Sequence, residues 1–250
     1  MPTLHLVIPF FNETATLEAA VQRVLAAPMP SGWEQNVILV DDGSERASAK
    51  VGSELARKHD VVSLQRHQHN RGKGAAVRSG YASIIDVAHD DDVAGIQDAD
   101  LEYDPADLSS LINAFQSERA DAIFGNRWST PPHSMKARLH RLGNRILTRL
   151  SNNATGLKLT DMECCYKFIR IPMLRNILPD LDEDRFGIEP QLAAALARHG
   201  SRIVEVPVSY DPRGFDEGKK IGARDAMEAI RVIRRERLRT REATRKESQL

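Results

Sequence analysis

Asp98 and Asp100 stand two apart just after the apolar run Val93-Ala94-Gly95-Ile96, within the stretch Gln97-Asp98-Ala99-Asp100-Leu101-Glu102-Tyr103-Asp104-Pro105. Side chains two apart on an extended strand share a face, so both carboxylates converge on one point. Such a pair repels itself unless a cation or a shared proton intervenes, and hard oxygen ligands suit Mg²⁺ or Mn²⁺ better than zinc. The chemistry this points to is a divalent metal holding a diphosphate. The same letters also read as a solvated turn, because Asp104-Pro105 is a good helix start.

A second polar cluster, Asn70-Arg71-Gly72-Lys73-Gly74, precedes a helical stretch, where backbone N–H groups and Lys73 could face phosphate oxygens. Its spacing is neither that of a P-loop nor that of the dinucleotide fingerprint, so neither an ATPase nor a dehydrogenase follows. No Gly-x-Ser-x-Gly elbow is present to raise a nucleophilic serine. His59, His67, His69 and His89 read as solvated loop residues rather than ligands. The adjacent Cys164 and Cys165 cannot build an ordinary disulfide framework and read as structural thiols.

The elements that must position these groups alternate. Strands are expected at Leu4 to Pro9, Asn36 to Val40, Val61 to Gln65, Val93 to Gln97 and Ala120 to Phe124, with helices between them, such as Gly74 to Ile85 and Leu108 to Ser117. That alternation predicts an α/β fold with an open, mostly parallel twisted sheet, whose ligands sit beyond the carboxyl ends of the strands. Each acidic or glycine-bearing motif falls at such an end. Beyond Gly125-Asn126-Arg127 comes a basic amphipathic stretch, Lys136 to Leu150, with Leu139, Leu142, Ile146 and Leu150 at helical spacing among Arg138, Arg141, Arg145 and Arg149. It reads either as a surface helix packing one stripe on the core or as an interfacial membrane helix. Further strands are expected at Tyr166 to Ile171 and Ile203 to Tyr210, a helix at Ile188 to His199, and a last helix from Ala223. It runs into a charged tail over 231–250, helical or frayed.

With 250 residues the chain can bury one large core, and a single catalytic unit over 1–230 is expected. Its 35 basic residues balance 35 acidic ones, so net charge gives no argument for a nucleic-acid partner. No apolar stretch approaches the roughly 20 residues that span a bilayer. A cytoplasmic protein, neither secreted nor transmembrane, is the expectation.

The order Pro9-Phe10-Phe11-Asn12-Glu13, Val40-Asp41-Asp42-Gly43-Ser44, Asn70-Arg71-Gly72-Lys73-Gly74 and Asp98-Ala99-Asp100 resembles the family 2 glycosyltransferases of GT-A fold, over nearly the whole chain. Gly125-Asn126-Arg127, Asp161 before Cys165-Tyr166-Lys167, and Val206-Pro207-Val208 with Arg213 and Gly218-Lys219-Lys220 look like the branch that includes dolichyl-phosphate mannose synthase and polyprenyl-phosphate glucosyltransferases. The resemblance implies a Rossmann-like nucleotide-sugar half (1–127) and an acceptor half (128–230). It places the nucleotide at Pro9, Phe10, Asn12, Glu13, Asp41, Asp42, Gly72 and Lys73, and Mg²⁺ or Mn²⁺ at Asp98 and Asp100. Glu102 departs from the family's frequent glutamine and would complete the metal shell. Acceptor phosphate falls to Arg127, Arg138, Arg213, Lys219 and Lys220. Asp161 takes an acceptor-side catalytic role beside Asp100, Arg127 and Arg213, as general base should the acceptor be a hydroxyl.

The expected reaction is inverting, metal-dependent transfer of a hexose from a UDP- or GDP-sugar to a polyprenyl phosphate, with peripheral contact to an anionic membrane. Alternatives are a soluble hydroxyl acceptor, a nucleotidyltransferase releasing pyrophosphate, and a nucleotide-sugar-binding module without turnover.

Overall fold

The structure, a computed structural model, describes residues 1–129, 135–212 and 223–247. Strands β1 (Thr3–Phe10), β2 (Glu34–Asp41), β3 (Val62–Arg66), β4 (Val93–Ile96), β5 (Ala122–Asn126), β6 (Lys167–Arg170) and β7 (Ile203–Pro207) form one sheet in the order β3-β2-β1-β4-β6-β5-β7. Neighbours pair in parallel except at β6, which runs antiparallel to both β4 and β5. The near-continuous apolar runs of β1 and β2 are buried on both faces, as a sheet covered by helices requires.

The helices are α1 (Leu17–Ala26), α2 (Arg46–Lys58), α3 (Lys73–Ile85), α4 (Leu108–Glu118), α5 (Met135–Thr155), α6 (Ile171–Ile177), α7 (Ile188–Arg198) and α8 (Ala223–Glu247). On α1, Leu17, Ala20, Val21 and Val24 are buried, and on α4, Leu108, Leu111, Ile112 and Phe115, each set one stripe at i, i+3, i+4, i+7. Each large side chain so buried contributes about 1.5 to 3 kcal/mol.

The chain lays β1, β2 and β3 outward on one side, then returns to set β4 against the other flank of β1. A crevice opens where the order reverses, outside the carboxyl ends of β1 and β4. Because β6 runs against its neighbours, its amino end lies at this same rim and delivers residues 161–166 to it. Alternation alone does not announce that reversal.

Two expectations that left alternatives open are narrowed. The Leu139-Leu142-Ile146-Leu150 stripe does not pack on the core: all four are exposed, while Asn144, Thr148 and Ser151 of the same helix are buried. The charged tail is helical as far as Glu247, and α8 packs on α5 and α7 with Val232, Ile233 and Glu236 buried. The division expected at 230 therefore falls inside an element of the core. Glu236 accepts hydrogen bonds from Gln191, Arg198 and Arg239, and Arg235 and Arg239 also pair with Asp182, so several of the charges that suggested fraying are paired. No described helix is long and apolar enough to cross a membrane.

Candidate active site

A cavity of ≈ 380 Å³ opens at the crevice. Pro9, Phe10 and Phe11 enter it from the end of β1, Asp98, Asp100 and Glu102 from the loop after β4, and Arg127 from the end of β5. Gly72 and Lys73 come from the start of α3, and Glu163 and Cys165 from the segment leading into β6.

Asp42 lines the cavity but is only 3% exposed, because three donors hold it: the Arg71 and Gly72 amides at 3.0 and 2.7 Å and His67 Nδ1 at 2.6 Å. The Gly72 and Arg71 N–H groups, expected to meet phosphate, thus bind a carboxylate of the protein. The Ala75 amide bonds the Asp184 carbonyl, so the protein itself fills the start of α3. Gly72 has φ 110, and a Cβ there would run into the Asp184 carbonyl, so the close approach requires glycine. His67 is not the solvated residue expected; its Nε2 also pairs with Ser79 Oγ at 2.9 Å, which locks the ring that holds Asp42.

Asp41 and Asn12 lie outside the cavity lining. Asp41 is fully buried, takes the Ser44 amide at 2.8 Å and pairs with Arg66 at 3.1 Å. Asn12, at φ 56, accepts from the Glu45 amide at 2.8 Å and ties the β1 loop to the start of α2. Both shape the loops around the cavity. Glu13 lines the cavity and accepts from Thr16 Oγ1.

A row of alternating charges forms the floor. Lys73 Nζ lies 2.9 Å from Asp98 and 3.0 Å from Glu189, and Lys167, itself fully buried, bonds the other Glu189 oxygen. Burial works against the Lys73 charge, but Asp98 and Glu189 outweigh it and hold its pKa well above the ordinary value. Asp100 turns one oxygen to the Glu102 amide at 3.1 Å, and Leu101 between them sits at φ 66, a left-handed conformation unusual for a branched side chain. Such strain persists where surrounding structure holds it, here the Glu102 carbonyl bonded to the Asp211 amide and the Glu102 carboxylate bonded to Tyr210 Oη at 2.7 Å.

Opposite stands Arg127, clamped by Asp161 through its own amide at 3.0 Å, Nε at 2.8 Å and Nη2 at 2.7 Å. Asn144 of α5 donates a fourth bond to Asp161 at 2.9 Å. The guanidinium carbon lies 5.1 Å from both the Trp128 and Tyr210 ring centres, a cation–π contact to each of two rings that themselves meet edge to face at 6.4 Å. Burial opposes the Asp161 charge, yet Arg127 overrides it and keeps the carboxyl below its usual range. Asp161 is fully buried and is absent from the cavity lining, so it orients Arg127 and does not fit the base role expected of it.

Sequence reasoning missed Glu163, whose Oε1 is buried without a hydrogen-bond partner while the residue lines the cavity. Burial, then the charge of Glu189, pushes its carboxyl up to about 7 against the pull of Lys167 and Arg127. It also missed Glu189 and Tyr210, which no local motif marks. The two thiols, expected to be structural, are free and buried, with Cys164 pushed up to about 12, chiefly by burial. Arg138 is exposed on α5 and does not line the cavity, while Arg213, Lys219 and Lys220 lie outside the described residues.

The chemistry of the donor set fits a hard divalent ion. Among the described residues no group of three or more His, Cys, Asp and Glu forms a ready cage. Asp98 and Asp100 instead supply two carboxylates beside open volume, and Mg²⁺ characteristically takes one or two carboxylates and completes its shell with phosphate oxygens and water.

Residues 5–178 match the family model described as Glycosyl transferase family 2, and the chain belongs to that family, with the GT-A fold. Undecaprenyl-phosphate 4-deoxy-4-formamido-L-arabinose transferase of Shewanella sediminis is 26% identical over 218 residues, 86% of this chain and 61% of its own. Dodecaprenyl-phosphate galacturonate synthase of Rhizobium johnstonii is 30% identical over 213 residues, 84% of this chain and 59% of its own. The chain thus spans about three fifths of the length of these relatives. Glucosyl-3-phosphoglycerate synthase of Mycobacterium tuberculosis, solved with Mn²⁺, UDP and glucosyl-3-phosphoglycerate, superposes with a TM-score of 0.68 at 17% identity, covering 94% of this chain and 80% of that one. The same enzyme has also been solved with Mg²⁺ and UDP.

Proposed function

We propose that the protein transfers a hexose from a nucleotide diphosphate sugar to a polyprenyl phosphate. The observation that carries this reading is the pairing, across one cavity, of two strand-end carboxylates with a guanidinium that Asp161 and two aromatic rings hold in place. The relatives named for undecaprenyl- and dodecaprenyl-phosphate products support the acceptor class.

In this reading Phe10, Phe11 and Asp42 border the nucleoside end, and Asp98 and Asp100 hold the divalent metal. When bound, that ion neutralises charge on the departing diphosphate. Lys73 adds a fixed positive charge beside Asp98. Arg127 faces the acceptor phosphate, which is already an anion and needs little help to attack; a planar guanidinium suits such a group. The acceptor oxygen forms its bond to the anomeric carbon as the bond to the diphosphate breaks. One such displacement inverts the configuration.

A hydroxyl acceptor is a second reading, favoured by Glu163. An alcohol must lose its proton during attack, and a cavity carboxyl with an unpartnered oxygen can take it. The test is transfer of labelled hexose from UDP-hexose and GDP-hexose to added polyprenyl phosphate. Label in an organic-extractable phosphodiester supports the first reading; label only in a water-soluble glycoside selects the second.

A further inference from the structure

Helix α5 buries its polar residues and exposes most of its large apolar ones. On the protein-facing side Asn144 bonds Asp161, Thr148 Oγ1 accepts from the Met162 amide at 3.2 Å and Ser151 is buried, beside the half-buried Leu147 and Ala154. Its solvent-facing side carries Leu139, Leu142, Ile146 and Leu150, exposed by 63, 54, 52 and 39%. Positions three and four apart stack on one helix face, so these four make one continuous apolar stripe. A stripe that contributes nothing to the core and stays in water marks an interaction surface.

Charge selects the partner. In a chain whose charges balance, this 21-residue helix contains Lys136, Arg138, Arg141, Arg145 and Arg149 and no Asp or Glu. Arg138, Arg145 and Arg149 are exposed and run in a row along one flank of the stripe. A second copy docking through antiparallel α5 helices would set that arginine row against its own image, like charge on like charge. An apolar stripe with a cationic flank is instead the pattern of a helix lying in the headgroup layer of a membrane.

We infer that the outward face of α5 seats the protein on an anionic lipid surface. The seat adjoins the active site, since His140 of the same helix lines the cavity and Arg141 donates to the Trp128 carbonyl at 3.0 Å, next to Arg127. A polyprenyl phosphate would then reach Arg127 without leaving its bilayer; that purpose rests on the lipid-acceptor reading, whereas the docking does not.

The test is flotation with vesicles of equal parts phosphatidylcholine and phosphatidylglycerol, and with phosphatidylcholine alone. The wild type should float with the anionic vesicles and be largely released at about 1 M salt, where screening is short-ranged. Arg145→Ala/Arg149→Ala should lower partitioning into anionic vesicles roughly thirtyfold. Leu142→Ser/Ile146→Ser should lower it roughly tenfold or more. Both variants should keep the wild-type melting temperature and transfer to a short-chain prenyl phosphate in free solution, and lose transfer to vesicle-embedded acceptor. Wild-type protein that does not float, or an apolar variant that floats like wild type, overturns the inference. So does a wild-type dimer that Leu142→Ser/Ile146→Ser splits, since a second copy then covers the face. Flotation without turnover on either acceptor leaves the seat standing and removes the acceptor reading.

Discussion

Glu163 and Asp161 lie two residues apart and are perturbed in opposite directions, which separates their roles. The Glu163 carboxyl is pushed up to about 7, so between its unfolded value of 4.5 and that point the native state binds the extra proton. Stability should therefore fall as pH rises through this window, and Glu163→Gln should flatten the slope, recovering on the order of 2 to 3 kcal/mol above it. Urea unfolding at about pH 5 and about pH 8 reads this directly, and an unaltered slope in the variant would contradict it. For Asp161 the folded value is depressed by Arg127, so its contribution is present above the ordinary carboxylate range and is lost as pH falls through the lowered value. Asp161→Asn leaves a buried guanidinium without its counter-charge and should cost roughly 3 to 5 kcal/mol, with turnover falling alongside. Loss of turnover at unchanged stability would instead return Asp161 to the role of a base.

At the scale of elements, the turn after β4 holds Leu101 at φ 66 between two acidic residues. Leu101→Gly relieves the left-handed strain and should raise stability by roughly 1 kcal/mol while lowering turnover, because Asp100 and Glu102 then lose their fixed spacing. Thermal unfolding and steady-state rates measure both; lower stability would show that the Leu101 side chain's packing outweighs its backbone. Most elements were legible in the sequence because apolar runs and 3.6-residue stripes follow from burial, and β1, α3 and α4 fall within a residue or two of expectation. The stripe of α5 was legible too, but not its direction: periodicity says that a helix has two faces, and which one turns inward depended on the need of Asp161 and the Met162 amide for partners. Short α6 carried no clear periodic signal. The charges of α8 read as a solvated tail because their partners, Asp182 and Arg198, lie far away in sequence.

At the scale of the whole molecule, the candidate site follows from topology. Parallel strands point their carboxyl ends at one rim, the jump from β3 back to β4 opens that rim beside β1, and the reversed β6 adds its amino end. Asp42, Asp98, Asp100 and Arg127 could be picked from sequence because they end strands. Glu163, Glu189 and Tyr210 could not, because only tertiary packing of the β6 approach, α7 and the segment after β7 brings them to the others. In the cluster of Asp41, Asn12 and Gly72, residues that shape a loop and residues that line the cavity share the same polar, turn-favouring types, so the sequence did not separate Asp41 and Asn12, which lie outside the cavity, from Gly72, which lines it. Metal-assisted hexosyl transfer at this rim can be read from mass spectrometry of the products formed from UDP- or GDP-hexose, polyprenyl phosphate and Mn²⁺. A polyprenyl-phosphate hexose with free nucleoside diphosphate is predicted, abolished by chelation and formed roughly a hundredfold more slowly by Asp100→Asn. Release of pyrophosphate, or undiminished transfer after exhaustive chelation, would contradict it.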